Sequence, residues 1–185
     1  MWLLSFTLYG SGDLASNQDR ATALAAFEEL GDPWGRAAAL TVHAGHALIR
    51  GDFPAASRDA GVSLGLFREL GDRWGQLRAG DLLAQLAEIH EDYDEAARMH
   101  RDGLRMAEEL GLWTDASYKW SGLGRIALLI GDHAEARRFH EHGLCLAAEQ
   151  AHKRGEQFAQ TGLALLARRE GRLDDAEAHL TKCLD

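Results

Sequence analysis

The chain has 185 residues, 46% of them hydrophobic, enough for one domain or one repeat array with a buried core. Its 20 Lys+Arg stand against 29 Asp+Glu, a formal net charge of −9. With no cation cluster in the sequence, that balance argues against duplex nucleic acid, which is bound by displacing phosphate counterions, and against anionic membrane surfaces.

Residues 1–9 are apolar but lack a basic start and a small-residue cleavage site, so they do not fit a signal peptide and read as the tail of a helix. No apolar run approaches the roughly 20 residues of a membrane helix. The periodicity then predicts helices over 14–30, 34–49, 53–70, 74–90, 93–110, 114–130, 133–150, 155–170 and 173–184. Gly31, Gly71 and Gly111 each follow a leucine and suit the left-handed conformation just past a helix end. Asp32 before Pro33 reads as an N-cap with proline at the first helical position, and Asp52 and Asp132 are caps of second helices. Only two prolines occur and strand-like alternation is rare, which favours an all-helical chain. Cys145 and Cys183 have no metal-ligand spacing, and a reduced, cytoplasmic setting is the simplest expectation.

The two kinds of turn recur with one period. Phe27-Glu28-Glu29-Leu30-Gly31-Asp32 returns 40 residues later as Phe67-Arg68-Glu69-Leu70-Gly71-Asp72, and again as Ala107-Glu108-Glu109-Leu110-Gly111-Leu112. Gly51-Asp52-Phe53, Glu91-Asp92-Tyr93, Gly131-Asp132-His133 and Gly171-Arg172-Leu173 keep the same interval. Positions between the turns form columns: Ala56, Ala96, Ala136 and Ala176; Ala47, Ala87, Ala127 and Ala167; Leu24, Leu64, Leu104, Leu144 and Leu184; and the small residues Ser63, Gly103, Gly143 and Cys183. Such columns belong to stacked units that cannot bury their faces alone. The expected fold is all-α, a right-handed α–α superhelix of four to five 40-residue helix pairs. It is read as a single repeat domain over 1–185, with a partial copy over 1–30 and copies over 34–70, 74–110, 114–150 and 155–185.

Trp120-x-x-Leu123-Gly124-x-x-Ala127, Gly131-Asp132-His133 and Ala136 resemble the tetratricopeptide repeat, in a unit of 40 residues rather than the usual 34 or so. HEAT-like repeats, also about 40 residues long, are the runner-up. The stretch Phe67-Arg68-Glu69-Leu70-Gly71-Asp72-Arg73-Trp74-Gly75 is similar to the long-unit repeats of bacterial transcription regulators of the AfsR/SARP type and the MalT-like LuxR type. The resemblance implies a non-catalytic module that senses an effector or docks a partner, with DNA reading placed in another domain. The register also suggests a fragment of a longer protein, able to self-associate end to end through uncapped ends.

Several motifs compete with this reading. Gly61-Val62-Ser63-Leu64-Gly65 has the nucleophile-elbow spacing, but falls mid-helix in the small-residue column. Gly122-Leu123-Gly124-Arg125-Ile126-Ala127 and Gly10-Ser11-Gly12-Asp13-Leu14-Ala15 fit a dinucleotide fingerprint; the first lies inside a helix and the second in a turn. His100 and His140 share a column near His133 and His142, and packing is preferred to metal binding for them. No cofactor is expected. Trp34 and Trp74 either pack on the turn before them or form an aromatic rim.

The family's groove lies on the first helix of each pair. Carried over by register, it falls on Thr41 and Gly45; on Arg78, Asp81, Gln85 and Glu88; on Tyr118, Ser121 and Arg125; and on Phe158, Thr161, Leu165 and Arg168. The resemblance implies that these residues hold a peptide or protein segment, with an acidic or C-terminal segment suited to arginines 78 and 125. A small-molecule or signal-peptide receptor and a free-standing scaffold are the alternatives.

Overall fold

The computed structural model describes residues 17–184, and their side chains from residue 23 onward. Within them the chain is helical throughout: α1 (Asn17–Glu29), α2 (Pro33–Ile49), α3 (Phe53–Glu69), α4 (Arg73–Ile89), α5 (Tyr93–Glu109), α6 (Trp113–Leu129), α7 (His133–Glu149), α8 (Lys153–Arg169) and α9 (Leu173–Thr181). The repeat is an α-helical solenoid. The partial copy before residue 17, with the second dinucleotide-like motif, lies outside the described residues.

Helices α2 to α8 each run 17 residues and are joined by three-residue turns. A 40-residue period is therefore two equal half-periods of 20 residues. The same pair of backbone bonds recurs at seven of these turns. At the end of α1, Gly31 N–H donates to Glu28 O and Asp32 N–H to Phe27 O, the paired bonds of a Schellman end. The middle residue of the turn has positive φ, and glycine fills it at six turns. Glu91 (φ 62°) and Ala151 (φ 49°) adopt it without glycine. The next helix then starts on a side-chain cap: Asp32, Asp52, Asp72, Asp92 and Asp132 accept from the backbone N–H three residues on, and His152 Nδ1 accepts from Gly155 N–H at 3.1 Å. Leu112 and Arg172 stand at that position without a side-chain capping bond.

The chain divides into two compact units, residues 1–90 and 91–185. In the first, α2 packs on α1 and α3, and α4 on α3; in the second, α6 packs on α5 and α7, and α8 on α7 and α9. First helices of successive pairs also meet, α2 with α4 and α6 with α8, whereas no second helix packs comparably on another among the described residues. The first helices thus form the inner layer of each unit, and the face they present is the concave one.

The expected columns build the core. Ala56, Ala96, Ala136 and Ala176 are all buried, as are Ala47, Ala127 and Ala167. The leucine column fades at its end: Leu104 is buried, Leu64 and Leu144 are half-buried, and Leu184, beyond α9 with no helix over it, is 88% exposed. Ser63 lies mid-α3 at 0% exposure, its hydroxyl 2.7 Å from that of Thr41 and donating to the Ala37 carbonyl.

The seams between pairs show a reciprocal choice of size. In the first unit, Ala60 on α3 packs with Leu82 on α4. In the second, the imidazole of His140 on α7 fills the same place and meets Gly162 on α8; a Cβ on Gly162 would overlap the ring, and one on Gly124 of α6 would lie 2.8 Å from it. His100 on α5 likewise meets Gly122 on α6, where a Cβ would come within 2.7 Å. Positions 82, 122 and 162 are one column and 60, 100 and 140 another, so a small knob faces a large residue and a large knob faces glycine. His140 is 1% exposed with neither ring nitrogen hydrogen-bonded. Burial, together with the nearby Arg125 charge, pushes its pKa down to about 4.

Candidate functional site

In the second unit the concave face carries an aromatic and cationic cluster. Tyr118 on α6 stands edge-on to His152 with ring centroids 5.3 Å apart, and 5.8 Å from Phe158 on α8. Arg125, two turns along α6 from Tyr118, places its guanidinium 5.4 Å from the centre of the Phe158 ring. All three side chains are half-buried. Repeat spacing explains the meeting: Tyr118 and Phe158 are equivalent positions on neighbouring first helices, and Arg125 is seven residues on from Tyr118, on the same helix face. Burial raises the Tyr118 phenol pKa, partly countered by the Arg154 charge.

The other groove positions of this unit go elsewhere. Ser121 is 1% exposed and faces α7, where a Cβ on Gly143 would lie 2.5 Å from its hydroxyl. Thr161 is exposed but turns toward the end of α9: its hydroxyl donates to the Gln157 carbonyl and lies 3.9 Å from Cys183 Sγ. Leu165 and Arg168 are exposed further along α8. Thr41, which meets Ser63, belongs to the same column as Ser121 and Thr161. These three sit on the side of the first helix that meets its own partner helix, so the register carried from a 34-residue unit places this column on the wrong face. Thr41 and Gly45 are buried and cannot line an open groove.

In the first unit, Arg78 lies 3.7 Å from Asp81 and 5.9 Å from the centre of the Trp74 ring. Gln85 is exposed and Glu88 half-buried. Trp34 is partly exposed and reaches across to the next pair. Its indole N–H donates to Asp72 Oδ2 at 2.5 Å, and its ring meets Phe67 edge-on. Asp72 caps α4 through its other oxygen, so one carboxylate ties successive pairs together.

His152 is the member of the cluster that the sequence reading missed. Its signal lay in the cap column, where Asp32, Asp72 and Leu112 precede it; an imidazole there both caps α8 and offers a ring to Tyr118. The remaining histidines disperse. The His142 ring lies tilted against Trp120 with centroids 4.4 Å apart, and His133 lies 3.9 Å from Glu170. Hydrogen bonds from Arg172 and Arg137 hold the Glu170 carboxyl below the usual range.

The chain is similar in fold to a solved helical structure. The crystal structure of BtubC (BKLC) from P. vanneervenii superposes with a TM-score of 0.73, covering 90% of this chain and 70% of that one at 18% identity. At that identity the likeness concerns the fold alone. No protein-family model matches the chain, and no curated protein matches it. Among the described residues no helix is long and apolar enough to cross a membrane.

Proposed function

We propose that this chain is a tetratricopeptide-like interaction module without catalytic activity, of the kind found in bacterial transcription regulators of the AfsR/SARP and MalT-like types. In this reading it acts in the cytoplasm and takes up a peptide or protein segment along a first-helix face. The observation that carries it is the meeting of Tyr118, Phe158 and Arg125 on the concave side of the second unit. Aromatic rings supply apolar contact area at low entropic cost, and a guanidinium supplies directional donors. Ala136, Ala159 and Leu166, by contrast, are consumed by packing. Residues not needed to hold the stack can differ between copies, and a face that varies along its length can discriminate between partners.

The test is to capture partners with the intact protein, then compare wild type with Tyr118→Ala/Arg125→Ala. Both residues are only half-buried, so helicity should be unchanged while affinity falls at least about fivefold, as for loss of an interface anchor. Equal affinities with intact helicity would move the interface to another face.

A further inference from the structure

The turn between α3 and α4 holds an indole. Phe67 lies against Gly75, and the Asp72 carboxylate caps α4 by accepting from Gly75 N–H through Oδ1. Its Oδ2 accepts the Trp34 indole N–H at 2.5 Å, and the Trp34 ring stands edge-on to Phe67. One period earlier, the turn between α1 and α2 repeats that frame. A Cβ on Gly35 would lie 2.2 Å from the Phe27 ring, the same distance as one on Gly75 from Phe67. Asp32 Oδ1 accepts from Gly35 N–H at 3.0 Å, as Asp72 Oδ1 does from Gly75. Here a cavity of about 410 Å³ opens, lined by Phe27, Glu28, Gly31, Asp32, Pro33 and Arg36. Phe27 is half-buried, whereas Phe67, in the indole-filled copy, is 1% exposed. The wall differs as well: Gln76 donates to the Phe67 carbonyl, and at its place in the earlier copy stands Arg36, 3.3 Å from Glu28.

We infer that this cavity binds the side chain of a tryptophan presented by a partner polypeptide, with the indole N–H donating to the Asp32 carboxylate. The site belongs to the first unit and does not depend on the reading of Tyr118, Arg125 and Phe158. The frame itself selects the ligand. A carboxylate beside an aromatic ring suits a flat apolar group that carries one N–H donor; phenylalanine has no donor, and lysine has no ring. A hydrogen bond to an ionised acceptor is also stronger than one between neutral groups. Arg36 adds to the preference, because a guanidinium is attracted to the face of an indole more than to other rings. A polypeptide is favoured over a free indole because the filled copy receives its ring from the first turn of a helix. Glu28, Gly31 and Pro33 stand exposed at the rim, where the backbone of such a segment passes.

The experiment uses the intact, isotope-labelled chain and four probes: an uncharged ten-residue peptide with a central tryptophan, its 1-methyltryptophan and phenylalanine twins, and free indole. The tryptophan peptide is expected to bind with a Kd of about 1 mM or below, as befits one anchored ring. It should shift the amide resonances of Phe27, Asp32 and Arg36. Both twins and free indole should bind at least about threefold more weakly. Asp32→Asn keeps a capping side chain and should weaken the peptide at least about threefold with unchanged helicity. Asp52→Asn, at the cap of α3, should leave it unaltered. Equal binding of the tryptophan and 1-methyltryptophan peptides, or of wild type and Asp32→Asn, overturns the inference, as does a peptide that shifts none of those resonances at about 10 mM. Free indole binding as tightly as the peptide overturns the polypeptide assignment. Trp113 is 44% exposed, and self-association abolished by both Trp113→Phe and Asp32→Asn would seat a second copy in the cavity and overturn the partner assignment. Shifts confined to Tyr118, Arg125 and Phe158 overturn the inference while supporting the concave site of the second unit.

Discussion

The reciprocal seams can be exchanged. At the α7–α8 seam, His140 fills the space that glycine at 162 leaves, whereas at the α3–α4 seam Ala60 is met by Leu82. Gly162→Leu alone drives a side chain into the imidazole, since even a Cβ would overlap it. Overpacking of this kind costs about 1–3 kcal/mol and falls at the upper end here, offset by roughly 0.8 kcal/mol of helix propensity gained over glycine. His140→Ala alone opens a cavity, at about 2–4 kcal/mol for a large buried ring, but also removes two buried nitrogens without hydrogen bonds, each worth about 1 kcal/mol or more. The net loss is about 0–2 kcal/mol. The double variant rebuilds the arrangement of the first unit, so its loss should be about 2 kcal/mol smaller than the sum of the singles. Urea unfolding followed by far-UV circular dichroism measures all four proteins. A double variant whose midpoint loss equals the sum of the two singles would refute the seam rule, since the two sites would then be independent.

His140 also makes stability sensitive to acid. Its folded pKa of about 4 lies below the ordinary 6.5, so the unfolded chain binds the proton first. The contribution is complete above pH 6.5 and lost as pH falls toward 4, by about 3 kcal/mol, and His140→Leu should flatten that part of the pH–stability curve relative to wild type; parallel curves would show that the ring titrates normally. Glu91→Gly and Ala151→Gly should each raise stability by about 1 kcal/mol by relieving left-handed backbone at a non-glycine residue; lower melting midpoints would contradict this. Trp34→Phe keeps the ring but removes the bond to Asp72, and should cost about 1 kcal/mol in chemical denaturation. An unchanged midpoint would mean that solvent replaces the bond without loss.

The site was legible only in part. Tyr118, Arg125 and Phe158 come together because repeat-equivalent positions on neighbouring first helices share a face, which spacing alone conveys. Ser121 and Thr41 were misplaced because spacing fixes the angle between residues on a helix but not which neighbour the helix turns toward. That orientation depends on how closely two backbones approach, and here Gly143 lets α7 come up against Ser121. His152 escaped notice because capping and ring contact are separate roles that combine only when two pairs stack.

Local chemistry written into the sequence determined the helices, their 20-residue half-period, the Schellman ends and the aspartate caps, because each depends on residues within about one turn of one another. The alanine columns followed as well, since a position that recurs every 40 residues and stays small has no use except close packing. The tertiary structure alone decided which knob meets which hole, as with His140 between Gly124 and Gly162. Those relations join residues 16 and 22 positions apart, and no repeat period conveys them, because each depends on how closely two helices approach once the stack has formed.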